Sequence, residues 1–153
     1  MKVETHKRFM LRAIELAKKA EGKTFPNPMV GAVIVKNGKV IGEGYHRRAG
    51  GPHAEIAALR KAKKNTRGAL LYVNLEPCAH YGRTPPCTKS LAKRGIRKVY
   101  AAMKDPNPMV NGKGLCELKK DGIEIKLGLC LKEARKLNTS YIMRVKGQKC
   151  SAE

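Results

Sequence analysis

Residues 29–45 read MVGAVIVKNGKVIGEGY, and the fold is decided there. Met29 to Val35 is an apolar run rich in β-branched residues, which predicts a buried strand. Asn37-Gly38 follows at once, and that dipeptide between two apolar runs predicts a hairpin, with Lys39 to Tyr45 returning antiparallel. Upstream, Thr24-Phe25-Pro26-Asn27-Pro28 interrupts a different pattern, in which Phe9, Met10, Ala13, Ile14 and Ala17 recur at helical spacing. That pattern predicts a first core helix. Its basic, amphipathic character resembles a transit peptide, but Glu4, Glu15 and Glu21 argue against one, since transit peptides are poor in acids.

Downstream, Gly50-Gly51-Pro52 stops the chain before a helix over His53 to Lys64, and Ala69 to Leu75 reads as a third strand. A regular alternation follows: a short helix from Cys87 to Arg94 ended by Gly95, a strand from Lys98 to Met103, a helix from Gly112 to Lys120 ended near Gly122, a strand from Ile123 to Leu127, and one final helix from Leu129 to Val145. Strands joined through single helices pair in parallel by right-handed crossovers, so strands three to five should be mutually parallel with helices on both faces. The expected fold is α/β, a three-layer α/β/α sandwich around a five-stranded mixed sheet. The 153 residues suit one domain, expected over 1–146, followed by a tail over 147–153, with no room for a second catalytic domain. Asn27-Pro28-Met29-Val30 recurs as Asn107-Pro108-Met109-Val110, but the surroundings differ and no internal repeat is read.

Composition bounds the partners. The 33 Lys+Arg against 12 Asp+Glu leave a net charge of +21, which attracts anions of any kind: nucleic acid, anionic lipid or phosphorylated metabolites. The basic residues are spread along the chain rather than gathered in a tail, as a lysine-rich solvated surface would have them. No apolar run approaches the roughly 20 residues of a spanning helix, so no membrane partner is expected. Five cysteines are an odd number and no signal-peptide core opens the chain, which places it in a reducing, cytoplasmic compartment.

The chemistry sits in two clusters. His53-Ala54-Glu55 opens the second helix, and Pro77-Cys78 with Cys87 lies between the third strand and third helix. One imidazole and two thiolates are three protein ligands for one zinc per chain, leaving a fourth, open position for water. Both clusters fall at or near helix starts, where positive potential favours thiolate over thiol. Glu55, two residues after His53, is the expected proton shuttle for that water. A histidine-x-glutamate followed by proline-cysteine and a second cysteine is the signature of zinc deaminases. The competing reading is a helix that happens to begin with His and Glu, together with two buried free cysteines.

Eight residues, Ala79 to Pro86, separate the two cysteines where such deaminases usually have two. Together with Asn27-Pro28-Met29-Val30-Gly31, Leu75-Glu76-Pro77-Cys78 and Asp105-Pro106-Asn107-Pro108, that insertion resembles the deaminase domain of the bacterial riboflavin-biosynthesis deaminase/reductase family, from the first helix through Leu137-Asn138. The resemblance implies a cytidine deaminase-like fold and deamination of diaminohydroxyphosphoribosylaminopyrimidine to an aminouracil that keeps its phosphoribosyl arm. It maps the zinc ligands onto His53, Cys78 and Cys87, the catalytic glutamate onto Glu55, and substrate contacts onto Asn27, His46, His80, Arg83 and Asn107. It also implies a homo-oligomer; the family continues into a reductase that these residues do not reach, which leaves two alternatives, a reductase on a separate chain or a longer protein of which this is a fragment. Arg83 stands where the family often has lysine; either is a cation suited to phosphate.

Other classes compete. A tRNA or nucleoside base deaminase is favoured by the charge and disfavoured by the eight-residue insertion. A non-catalytic nucleic-acid-binding protein on the same fold fails to explain three intact ligands plus the shuttle acid, so nucleic acid is expected to bind only non-specifically. Glu76 reads as a surface or ligand-orienting carboxylate, His6 as a surface residue, and Cys116, Cys130 and Cys150 as inert thiols, the first two within helices and the third in a frayed tail.

Overall fold

The computed structural model describes residues 1–81 and 84–151, and side chains among them as far as Gly147. In chain order the elements are α1 (Val3–Lys18), β1 (Gly31–Lys36), β2 (Lys39–Tyr45), α2 (Ala54–Ala62), β3 (Leu70–Val73), α3 (Cys87–Lys93), β4 (Lys98–Ala101), α4 (Lys113–Lys120), β5 (Glu124–Leu127), α5 (Leu131–Leu137) and α6 (Thr139–Ser151). The sheet runs β2-β1-β3-β4-β5. β1 is antiparallel to both β2 and β3, whereas β3, β4 and β5 are parallel, as the two kinds of connection require. Asn37 and Gly38 both take positive φ (52° and 76°), the left-handed pair that a two-residue hairpin needs.

Successive strand residues face opposite layers, and the two cores follow that alternation. Ala32, Ile34, Leu71, Val73 and Val99 pack with residues of α2, α3 and α4. Val33, Val35, Leu70, Tyr72 and Tyr100 pack on the other face with Phe9, Met10, Ala13 and Ile14 of α1, Ala134 of α5 and Ile142 of α6. α2 lies so close to β2 that a Cβ on Gly42 would collide with the carbonyl of Ala58, so only glycine fits there.

Three expectations are corrected. The final helix is two, because Asn138 breaks it: its side chain accepts from Met29 N–H and donates to Met29 C=O, both at 2.8 Å, extending the hydrogen bonding ahead of β1. α6 then runs on to Ser151. Cys130 is not inside a helix but precedes α5 at φ +58°. His6 is not a solvated surface residue: its Nδ1 lies 2.6 Å from the Tyr72 hydroxyl and its ring stacks on Tyr100 at 4.6 Å, because Tyr72 and Tyr100 are neighbours across β3 and β4.

Candidate active site

The parallel strands β3 and β4 end at the same edge of the sheet, and the chain leaving each forms the floor of a cavity of about 390 Å3. Crevices beyond the carboxyl ends of parallel strands are where α/β sheets bind ligands. His53 is the N-cap of α2 and Cys87 the first residue of α3, so two helix N-termini converge on the Cys78 loop that follows β3. His53 Nδ1 lies 3.3 Å from Cys87 Sγ and 3.6 Å from Cys78 Sγ. All three donor atoms fall within 4.8 Å of one another.

That set suits zinc. Tetrahedral ligation at about 2.0–2.3 Å separates neighbouring ligands by roughly 3.5 Å. Without metal the three donors share protons among themselves: the Cys78 thiol is pulled down to about 4 by hydrogen bonds from the Cys87 thiol and from His53. The partner Cys87 thiol is pushed up, by its bond to Cys78 and by burial. His53 is raised, chiefly by its bond to Cys78. Glu55, in the first turn of α2, is buried within the same cavity wall, and burial together with the charge at Cys78 lifts its carboxyl to about 7.

Asn27 and His46 act as a pair. His46 is buried, its Nδ1 lies 3.0 Å from the Pro52 carbonyl, and its Nε2 lies 3.2 Å from Asn27 Nδ2. One tautomer satisfies both contacts: Nδ1–H donates to Pro52, and Nε2 accepts from the Asn27 amide. Burial lowers the His46 pKa, the direction that favours the neutral ring this pairing uses. His80 is exposed in the cavity wall, and Asn107 lines the same cavity, its Oδ1 accepting from Met109 N–H at 3.0 Å. Arg83 lies outside the described residues.

Glu76 is not at the surface. It is 4% exposed and accepts from the backbone N–H groups of Asp105 and Gly112 through Oε1, and of Gly114 and Leu115 through Oε2. One carboxylate therefore ties the start of α4 to the segment that carries Cys78. Gly114 permits the approach, since a Cβ there would strike the Pro77 carbonyl. Glu76→Ala leaves these buried donors without their acceptor, each costing about 1–3 kcal/mol. Thermal unfolding of that variant is expected to show a loss of roughly 3 kcal/mol or more; an unchanged melting temperature would mean the clamp is not structural.

Sequence reasoning missed three further residues of the cavity: Asp105, Tyr141 and Arg144. Asp105 stood within a motif already singled out, and its Oδ1 accepts from the Tyr141 hydroxyl at 2.7 Å. Tyr141 and Arg144 lie on α6, far along the chain, where nothing local marks them. Both NPMV segments meet at this cavity, through Asn27, Pro28 and Val30 on one side and Asn107 and Val110 on the other.

A zinc-binding deaminase is the class that this arrangement defines, and comparison with known proteins agrees. Residues 3–103 match the model of the cytidine and deoxycytidylate deaminase zinc-binding region, and the chain belongs to that family. Its cofactor is zinc. Similarity narrows to riboflavin biosynthesis. The chain is 53% identical over 138 residues to the riboflavin biosynthesis protein RibD of Aquifex aeolicus, covering 90% of itself and 39% of that protein. It is 47% identical to the diaminohydroxyphosphoribosylamino-pyrimidine deaminase of Buchnera aphidicola, covering 90% of itself and 94% of that protein. The solved structure of Acinetobacter baumannii RibD superposes with a TM-score of 0.91 at 51% identity, covering 94% of this chain and 40% of that one. The chain thus spans about 40% of the length of the RibD relatives it matches. Among the described residues no helix is long and apolar enough to cross a membrane.

Proposed function

We propose that this chain catalyses hydrolytic deamination of diaminohydroxyphosphoribosylaminopyrimidine in riboflavin biosynthesis, giving the aminophosphoribosylaminouracil and ammonia. The observation that carries the reading is one cavity holding His53, Cys78 and Glu55, with Cys87 behind them, in a chain matching a deaminase of that name over almost its whole length. Residues 1–146 form the deaminase unit. His53, Cys78 and Cys87 hold the zinc, which when bound supplies the Lewis acidity that makes water a nucleophile at neutral pH. Glu55 accepts the proton of that water, passes it to the ring nitrogen next to the amino-bearing carbon, and moves a further proton to the departing nitrogen. Water adds its oxygen to the ring, the carbon–nitrogen bond breaks, and ammonia leaves. The amide of Asn27, aligned by His46, reads the pyrimidine edge together with His80 and Asn107, and Arg83 receives the phosphoryl arm.

The same reading makes the protein a cytoplasmic homo-oligomer whose product passes to a reductase. Nucleic acid binds only through charge. Ammonia release from the purified phosphoribosylaminopyrimidine, run beside a tRNA anticodon stem-loop, tests it. Turnover of the pyrimidine alone is expected; deamination of the RNA with none of the pyrimidine would replace the reading by a tRNA deaminase.

A further inference from the structure

The chain carries 33 Lys and Arg, yet among the described residues lining this cavity one is of that type, Arg144 on α6. We propose that Arg144 is a specificity-determining residue that recognises the phosphoryl group of the substrate, an inference that rests on the phosphorylated-pyrimidine reading above.

The side chain is already held in place. Its Nη1 donates to the Pro26 carbonyl at 3.1 Å, and its guanidinium carbon lies 4.6 Å from the centroid of the Phe25 ring and 5.8 Å from that of Tyr141. Tyr141 is fixed in turn by its hydroxyl on Asp105. Aromatic faces attract the cation without consuming N–H donors, so of the five that a guanidinium carries, one is spent on Pro26.

No carboxylate among the described residues forms an ion pair with it. The acids that form ion pairs do so elsewhere, with Arg12, Lys89, Lys98 and Lys120. Of the three carboxylates in the cavity, Glu76 is engaged by backbone N–H groups and Asp105 by Tyr141 and by Asn107 N–H at 3.0 Å, and Glu55 forms no ion pair with Arg144. A guanidinium flanked by two rings, without a carboxylate counter-ion among the described residues, in the wall of a cavity of ligand size is complementary to a bidentate anion, and phosphate oxygens present that geometry. Its bond to Pro26 also places the cation beside Asn27, so one loop relays both ends of the substrate: the ring edge to Asn27 and the anionic arm to Arg144.

A latch is the competing role, with Arg144 merely tying α6 to the loop before β1. The zinc-loaded full chain separates the two. The kcat/KM ratio between the phosphorylated pyrimidine and its dephosphorylated form is measured for wild type, Arg144→Ala and Arg144→Lys. Loss of a charge-assisted contact is expected to lower that ratio at least about tenfold in Arg144→Ala, mainly through KM, with Arg144→Lys between the two. An unchanged ratio, with both substrates losing equally or with Arg83 alone setting the preference, overturns the proposal. Calorimetric titration with ribose 5-phosphate tests the anion site without turnover. Binding by wild type and not by Arg144→Ala supports it even in a protein that fails to deaminate the pyrimidine, in which case only the substrate reading falls. Equal binding by both, or none by wild type, overturns it.

Discussion

Cys78→Ser is expected to abolish metal content and activity together. The serine hydroxyl stays protonated at neutral pH, so the site keeps one thiol and one imidazole where a zinc centre needs at least three good donors. Metal affinity falls by more than the roughly 10–100-fold typical of disturbing a residue that only supports a ligand. Elemental analysis should find about one zinc per chain in the wild type and little in the variant. The fold should suffer as well, because the three donors join the segment after β3 to the starts of α2 and α3, and binding energy of such a site is shared with folding. Full metal content in Cys78→Ser would show that Cys78 is not a ligand.

Glu55→Gln removes proton transfer and nothing else of size or shape. Deamination is expected to fall by at least about a hundredfold, the lower end of what a positioned acid or base contributes. Zinc content should be retained, since the carboxylate is not one of the donors that cluster. Stability provides a second readout. Burial raises the Glu55 carboxyl from 4.5 to about 7 in the metal-free protein, so its neutral form is the one the fold favours. The contribution is complete below pH 4.5 and is lost as pH rises through about 7. Zinc-stripped Glu55→Gln, neutral throughout, is therefore expected to be more stable than zinc-stripped wild type above neutrality. A variant that turns over substrate at near the wild-type rate would move the proton work to another group.

Much of this protein is local in its sequence. The hairpin follows from Asn37-Gly38 because two adjacent residues at positive φ restrict the turn to few chemistries, and the parallel half follows from strands separated by single helices. The candidate zinc donors and Glu55 are legible for the same kind of reason: His53, Glu55 and Cys87 sit at helix starts and Cys78 soon after a strand, where spacing and chemistry are visible together. The two-helix end of the chain was not legible. Asn138 interrupts a pattern that is helical by periodicity, and its reason for doing so is Met29, more than a hundred positions away.

The sequence by itself determined the layers and the hairpin and marked the candidate donors and acid one by one, since each of these depends on propensities and spacings within one element or across one turn. Tertiary structure alone decided what encloses them. It buried Glu76 beneath four backbone N–H groups, turned His46 inward to align Asn27, stacked His6 against a tyrosine pair, and brought Tyr141 and Arg144 of α6 into the cavity wall. Those roles come from side chains satisfying buried polar groups across the sheet, and a requirement that arises only once distant segments meet leaves no period or motif in either segment alone.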